Sequence, residues 1–204
     1  MKKCYTVTDL GGGDGGKGGV VDKLCEMNNA HTVLKVGGAQ GSHGVRTSTG
    51  QNFNFSQFGC GTFRGAKTHV TELMVIEPYY FIDEGLKLKD EFGLSDIFNQ
   101  ISIDENSLCV TPFHAIASQL RELNRGDKPK GTVGLGVGET KRDEEMNPSL
   151  AIYAKDLSSY QLKKKLEDVK NLKQAQLAEI INNISSFNED DNKRAQKLDA
   201  RMVF

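Results

Sequence analysis

Long apolar runs are missing. No stretch approaches the roughly 18 residues that a membrane span needs, and the opening Met-Lys-Lys-Cys-Tyr-Thr-Val-Thr-Asp lacks the apolar core of a signal peptide. An excess of one charge is missing too: 26 Lys and Arg against 27 Asp and Glu leave a formal net charge of −1. That balance argues against a broad electrostatic grip on nucleic acid. Neither nucleic acid nor membrane is therefore an expected partner. The four cysteines, at 4, 25, 60 and 109, include no close pair, so neither a zinc knuckle nor a redox Cys-x-x-Cys is present. A reduced, cytoplasmic protein with buried thiols is the expectation. No internal repeat or low-complexity linker interrupts the 204 residues. Glycine is what the chain has in excess: 22 in all, seven of them between Gly11 and Gly19.

With 37 % hydrophobic and 26 % charged residues the chain is expected to fold around a core. Residues 4–9 (Cys-Tyr-Thr-Val-Thr-Asp) have strand composition, and the glycine-rich stretch 11–19 follows at once. The spacing of Val20, Val21, Leu24 and Met27 predicts a helix with those residues on one face. A second strand at 32–36 leads into another glycine turn, 37–44. Strands are expected at 73–76 and 107–111, helices at 79–91 and 113–124, and a third glycine loop at 131–138. This order predicts an α/β fold: a mostly parallel central sheet with flanking helices. From about Ser158, apolar residues from Leu162 to Ile184 recur every three or four positions in a Lys/Glu-rich background. That is an amphipathic helix in need of a covering surface. The run 188–192 is expected to break it, and 201–204 to begin a strand. The expected division is a nucleotide-binding core over 1–157 and a helical extension over 158–204.

A loop so poor in side chains lets backbone N–H groups converge, and between a strand and a helix start it forms an anion cradle. Lys17 adds a positive charge where phosphate oxygens would lie. Gly11-x4-Gly16-Lys17 fits a P-loop, but Gly18 stands where a Ser or Thr would ligate Mg²⁺, leaving Asp14 as the candidate metal ligand. Gly11-x-Gly13-x-x-Gly16 also fits a dinucleotide fingerprint, though the second strand ends without the acid that would hold a ribose. A glycine turn without ligand is the remaining alternative. The second loop, with Gly41, Ser42, His43 and Gly44, is expected on the same sheet edge, setting His43 near Asp14 as a base–acid pair. His31 and His69 have no such setting, and His114 at a helix start suits neutral packing as well as binding.

Gly13-Asp14-Gly15-Gly16-Lys17-Gly18-Gly19-Val20-Val21-Asp22 resembles the Gly-Asp-Glu-Gly-Lys-Gly-Lys-hydrophobic-Val-Asp signature of the adenylosuccinate synthetase family. Gly38-Ala39-Gln40-Gly41-Ser42-His43-Gly44 and Gly131-Thr132-Val133-Gly134-Leu135-Gly136-Val137-Gly138 resemble two further motifs of that family, Gly-x-Asn-Ala-Gly-His-Thr and Gly-Thr-Thr-Gly-Arg-Gly-Ile-Gly. The resemblance implies a P-loop-NTPase-like α/β fold and a carbon–nitrogen ligase of purine (AMP) biosynthesis. GTP, with ATP as the alternative, phosphorylates O6 of IMP with Mg²⁺, and the aspartate amine then displaces the phosphate. It further implies that Asp14 is base and metal ligand, that His43 is the acid at the γ-phosphate, and that Lys17 neutralises phosphate. The Ser42 carbonyl would be a second metal ligand. Gln40, Gly41, Thr132 and Val133 would line the substrate, in a cytoplasmic homodimer.

The chain departs from the signature at Gly15 (Glu in the family), Gly19 (Lys), Gln40 (Asn), Ser42 (Gly) and Val133 (Thr). An Arg that the family takes from its partner subunit has only Arg142 nearby, out of register. A viral branch acts on dGMP and replaces the loop Asp, so Asp14 points to IMP. The family is about twice as long as this chain, which reads as an N-terminal half, cut or encoded short. Alternatives are a non-catalytic nucleotide-binding protein and an NAD(P)-dependent oxidoreductase.

Overall fold

The computed structural model describes residues 3–202, which form two compact units. The first comprises residues up to 74 together with 78–104; the second comprises 75–77 and the chain from 105 onward. The expected boundary at 157/158 falls inside the second unit.

In the first unit the glycine-rich stretch ends at helix α1 (Lys17–Asn28), followed by β1 (Thr32–Gly38). A hairpin comes next, β2 (His43–Arg46) and β3 (Asn52–Phe55), antiparallel with His43 opposite Phe55. Strand β4 (Lys67–Ile76), helix α2 (Pro78–Phe92) and β5 (Ile101–Ile103) complete it. β4 lies between β1 and β5 and runs parallel to β5. Phenylalanines fill the core. Phe53, Phe55, Phe63 and Phe92 meet largely edge to face at 5.0–6.4 Å between ring centres, and Phe58 stacks on Phe81 at 5.0 Å. Glu84 of α2 pins the chain after β3: its buried carboxylate accepts the N–H groups of Ser56, Gln57 and Phe58 at 2.8–3.2 Å.

In the second unit the end of β4 pairs in parallel with β6 (Leu108–Cys109). Helices α3 (Pro112–Leu123), α4 (Val137–Met146), α5 (Leu162–Asn182) and α6 (Glu189–Arg201) follow. Val75, Leu108, Val110 and Ala151 form a small core, while α3 packs against α4, α5 and α6. The amphipathic stretch thus packs on α3, and Val169, Lys173 and Leu177 are its buried residues.

The α/β class with parallel pairing holds, but four expectations are corrected. Residues 4–9 form no strand: they stay mostly exposed and join no ladder. Helix α1 buries Gly18, Asp22 and Cys25, leaving Val20 and Met27 at 47 % and 70 % exposure. Its buried face was set by an ion pair rather than by apolar spacing, because Arg64 grips Asp22 with Nε and Nη2 at 2.9 and 2.7 Å. The run 188–192 does not break the amphipathic helix, which already ends at Asn182; it opens the next one. Asn188 accepts the Asp191 N–H at 2.9 Å and caps α6, whose first turn carries Glu189, Asp190 and Asp191, the favoured sign at that end. Arg201 lies in α6 and Met202 caps it, so no strand begins there; Val203 and Phe204 lie outside the described residues.

Candidate functional site

The glycine loop reaches α1 through Gly16, which takes a left-handed conformation (φ 72°) that a side chain would resist. No side chain caps α1 and no acid lies in its first turn, so its leading N–H groups stay open. Gly18, one residue into the helix, is buried against the second loop. A Cβ there would overlap the Gly44 carbonyl oxygen and lie 3.0 Å from the His43 carbonyl carbon. The absence of a side chain at 18 therefore seats the start of α1 directly on the strand that opens with His43.

Between Leu10 and Lys17 the loop curls around a carboxylate of this same chain. Asp9 Oδ1 accepts the Gly11 N–H at 3.0 Å, Oδ2 accepts the Gly15 N–H at 3.0 Å, and Lys17 Nζ pairs with Oδ2 at 2.8 Å. The Lys17 bond first, then the two amides, hold the Asp9 carboxyl down at about 2. Asp14 is exposed in a left-handed conformation (φ 55°), and its carboxylate takes no hydrogen bond among the described residues.

His43 is half-buried, and burial, then the charges of Lys35 and Lys17, push its pKa below the ordinary value. That shift favours the neutral imidazole over the imidazolium. Lys35, buried in the middle of β1, is itself held down by desolvation, against the opposing pull of Cys60 and Glu84. Ser42 is exposed and Gly41 closes a turn onto the Gly38 carbonyl at 3.0 Å; Gln40 is exposed too.

The third glycine loop, in the second unit, is built alike. Gly136 (φ 87°) starts α4 without a side-chain cap, and a Cβ on it would lie 2.5 Å from the His114 carbonyl carbon. Glu122 Oε1 accepts the Gly131 N–H at 2.8 Å, and Gln119 Nε2 donates to the Gly134 carbonyl at 3.1 Å. Thr132 and Val133 are exposed, Val133 at 71 %. Arg142 pairs with Glu139 at 3.1 Å. His114 is a packing residue. Its Nδ1 accepts the Thr111 N–H at 3.1 Å, which leaves the proton on Nε2, 3.1 Å from Asp143 Oδ2. Among the described residues the rings of His31 and His69 bond hydroxyls, those of Thr32 and Ser102.

The sequence profile described as "Adenylosuccinate synthetase" matches residues 7–203. The chain belongs to the adenylosuccinate synthetase family. Curated relatives include the adenylosuccinate synthetase of Borrelia turicatae (strain 91E135), 28 % identical over 189 residues, covering 92 % of this chain and 42 % of the relative. That of Mycobacterium leprae (strain TN) is 29 % identical over 174 residues, covering 83 % and 38 %. A fully ligated adenylosuccinate synthetase structure from Plasmodium falciparum shares the fold with a TM-score of 0.63 at 17 % identity, over 94 % of this chain and 42 % of that one. The chain thus spans about two-fifths of the length of the relatives it matches.

Reading the sequence for the family's loops missed Asp9 and Lys35. Both left a trace: an acid two residues ahead of the glycine run, and a lysine that alternates with Leu34 and Val36 so as to face the opposite side of β1.

Proposed function

We propose that this chain carries the phosphate-handling part of an adenylosuccinate synthetase-type ligase. The observation that supports the reading best is the curled loop itself: amides of residues 11 and 15 and the Lys17 ammonium already converge on an anionic oxygen pair. A triphosphate tail offers the same oxygens with more charge. The seating of Gly18 on the His43 strand keeps the cradle and the imidazole in fixed relation.

In this reading Asp14, unpartnered among the described residues, removes the N1 proton of IMP so that O6 can attack the γ-phosphorus of GTP and GDP can leave. His43 enters neutral and donates a hydrogen bond to the γ-phosphoryl oxygens. Their charge raises its pKa and lets it hold a proton as negative charge accumulates. Lys17 balances the β- and γ-oxygens. The aspartate amine then displaces phosphate from C6. Within the first unit, Gln40 and Gly41 would face the purine nucleotide.

Mg²⁺ suits the residues present. Among those described, no cluster of three or more His, Cys, Asp or Glu forms a protein cage. Mg²⁺ is usually held by one or two carboxylates, with phosphates and waters filling the rest. Asp14 and the Ser42 carbonyl would hold it, and it would neutralise charge on the transferring group. Likeness to the family also supports a homodimer in the cytoplasm as part of this reading; no described helix is long and apolar enough to cross a membrane.

The test is calorimetry of Mg·GTP with the 204-residue chain, then adenylosuccinate formation from IMP, aspartate and GTP, with dGMP and ATP as competing substrates. Lys17→Ala should abolish most triphosphate affinity, and Asp14→Ala should spare affinity while removing turnover in whatever assembly is active. Equal GTP affinity in wild type and Lys17→Ala would refute the cradle.

A further inference from the structure

Granting the phosphate site above, we propose that Asp9 is its resident occupant: a side chain that fills the triphosphate cradle when no nucleotide is bound and leaves when one enters. Its carboxylate takes three donors that the phosphate would take, the Gly11 and Gly15 amides and Lys17 Nζ, at 2.8–3.0 Å. Both oxygens are used and the side chain is only 14 % exposed, so it sits inside the curl of the loop.

The position of Gly15 supports the assignment independently. Gly15 is not among the glycines with positive φ, so its conformation does not itself call for glycine. A Cβ on it would nonetheless lie 2.7 Å from the Asp9 carboxyl carbon and both its oxygens. The missing side chain at 15 is thus what leaves room for the carboxylate of residue 9. Lys17 and the open end of α1 would otherwise face solvent uncompensated, and the carboxylate neutralises them. Two anions cannot share these donors at hydrogen-bond distance. Entry of a phosphate therefore requires the Asp9 side chain to rotate out, and the segment before it, exposed and free of ladder bonds, gives it room to move.

The consequence is a built-in affinity penalty. The apparent dissociation constant equals the intrinsic one divided by the fraction of molecules in which Asp9 has left. Removing the charge while keeping the shape lifts that penalty.

The experiment measures binding of inorganic tripolyphosphate and of GTP, each with Mg²⁺, to wild type, Asp9→Asn and Lys17→Ala. Asp9→Asn should bind both probes about tenfold tighter or more, as expected when the competent fraction of wild type is below about one in ten. In the unaltered chain, the carboxyl ¹³C signal of Asp9 should shift on saturation with tripolyphosphate as the carboxylate leaves its donors. Measurable wild-type binding with equal or weaker binding by Asp9→Asn, or an unmoved carboxyl signal at saturation, would overturn the proposal, make Asp9 a loop brace and leave the phosphate site standing. Absence of binding to either probe in wild type and Asp9→Asn alike would remove the phosphate site and the proposal together.

Discussion

Lys173 has no exposed surface, yet it is a lysine. Its Nζ donates to Glu139 Oε2 at 2.9 Å, Asp143 Oδ1 at 2.8 Å and Gln176 Oε1 at 3.1 Å. Lys173→Met keeps most of the stem and removes the charge, so packing is spared and electrostatics tested. Each charge-assisted bond is worth about 1.5–3 kcal/mol, and losing one partner of a buried pair costs about 3–5 kcal/mol. The lower end applies here, because Glu139 keeps Arg121 and Arg142 on Oε1 at 3.0 and 3.1 Å and Asp143 keeps His114. We expect a loss of about 3 kcal/mol at pH 7, a fall of roughly 1.5 M in the urea midpoint for a slope near 2 kcal/mol/M.

The pH dependence is more diagnostic. Burial alone would raise Glu139 and Asp143, but in wild type their ion pairs and hydrogen bonds, those of Lys173 and, for Asp143, His114 among them, hold both below their ordinary 4.5 and 3.8. Depressed carboxylates stabilise the fold above the unfolded-state values, and that stabilisation is lost as pH falls through the folded-state values. Without the lysine, burial pushes them upward and protonation relieves the strain as pH falls. His114, freed from the Lys173 charge that helps hold it down, then protonates more readily beside Asp143. The gap between wild type and variant should therefore narrow from pH 7 toward pH 4. Urea melts followed by circular dichroism at several pH values decide it. A loss below about 1 kcal/mol, or a gap that stays constant with pH, would refute the reasoning.

Four further outcomes are expected. The His43 imidazole should titrate below 6.5 in the free chain, from burial and the Lys35 and Lys17 charges, and move upward with bound tripolyphosphate; an unmoved NMR titration would take His43 away from the phosphate. Arg64→Lys breaks the fork on buried Asp22 and should cost about 1.5–3 kcal/mol in a denaturant melt, an unchanged midpoint showing that the fork is idle. Cys60 and Cys109, pushed up to about 11 and about 12 by burial, should ignore a disulfide reagent at pH 8, as should buried Cys25, while exposed Cys4 reacts; a second fast thiol counts against the burial. Gly18→Ala must prise α1 off the His43–Gly44 backbone and should cost roughly 1–3 kcal/mol, whereas Gly19→Ala meets open space and should gain about 0.5–1 kcal/mol of helix stability. Equal melts for the two would undo the close-approach argument.

Elements with strong period or punctuation were readable from the residues: α2 and α3 begin at Pro78 and Pro112, and β1 follows its β-branched run. What was hidden depended on partners far along the chain. The buried face of α1 is fixed by Arg64, 42 residues beyond Asp22, and apolar spacing carries no trace of it. The β2–β3 hairpin could have been found from the alternation Asn52-Phe53-Asn54-Phe55, but glycine punctuation drew attention to the loop before it. In the candidate site, the cradle and Lys17 were legible because glycine and lysine are informative types. Asp9 was not, since an acid before a turn looks ordinary until the fold wraps amides around it.

The loop also sets an order on how this sequence could be remodelled. Residue 19 looks onto empty space, so a side chain could begin there without meeting a neighbour. Residue 15 has less freedom: a side chain there meets the carboxylate of residue 9, which must swing out of the loop to make room. One vacancy in the motif stands open; the other opens only as the loop lets go of its own acid.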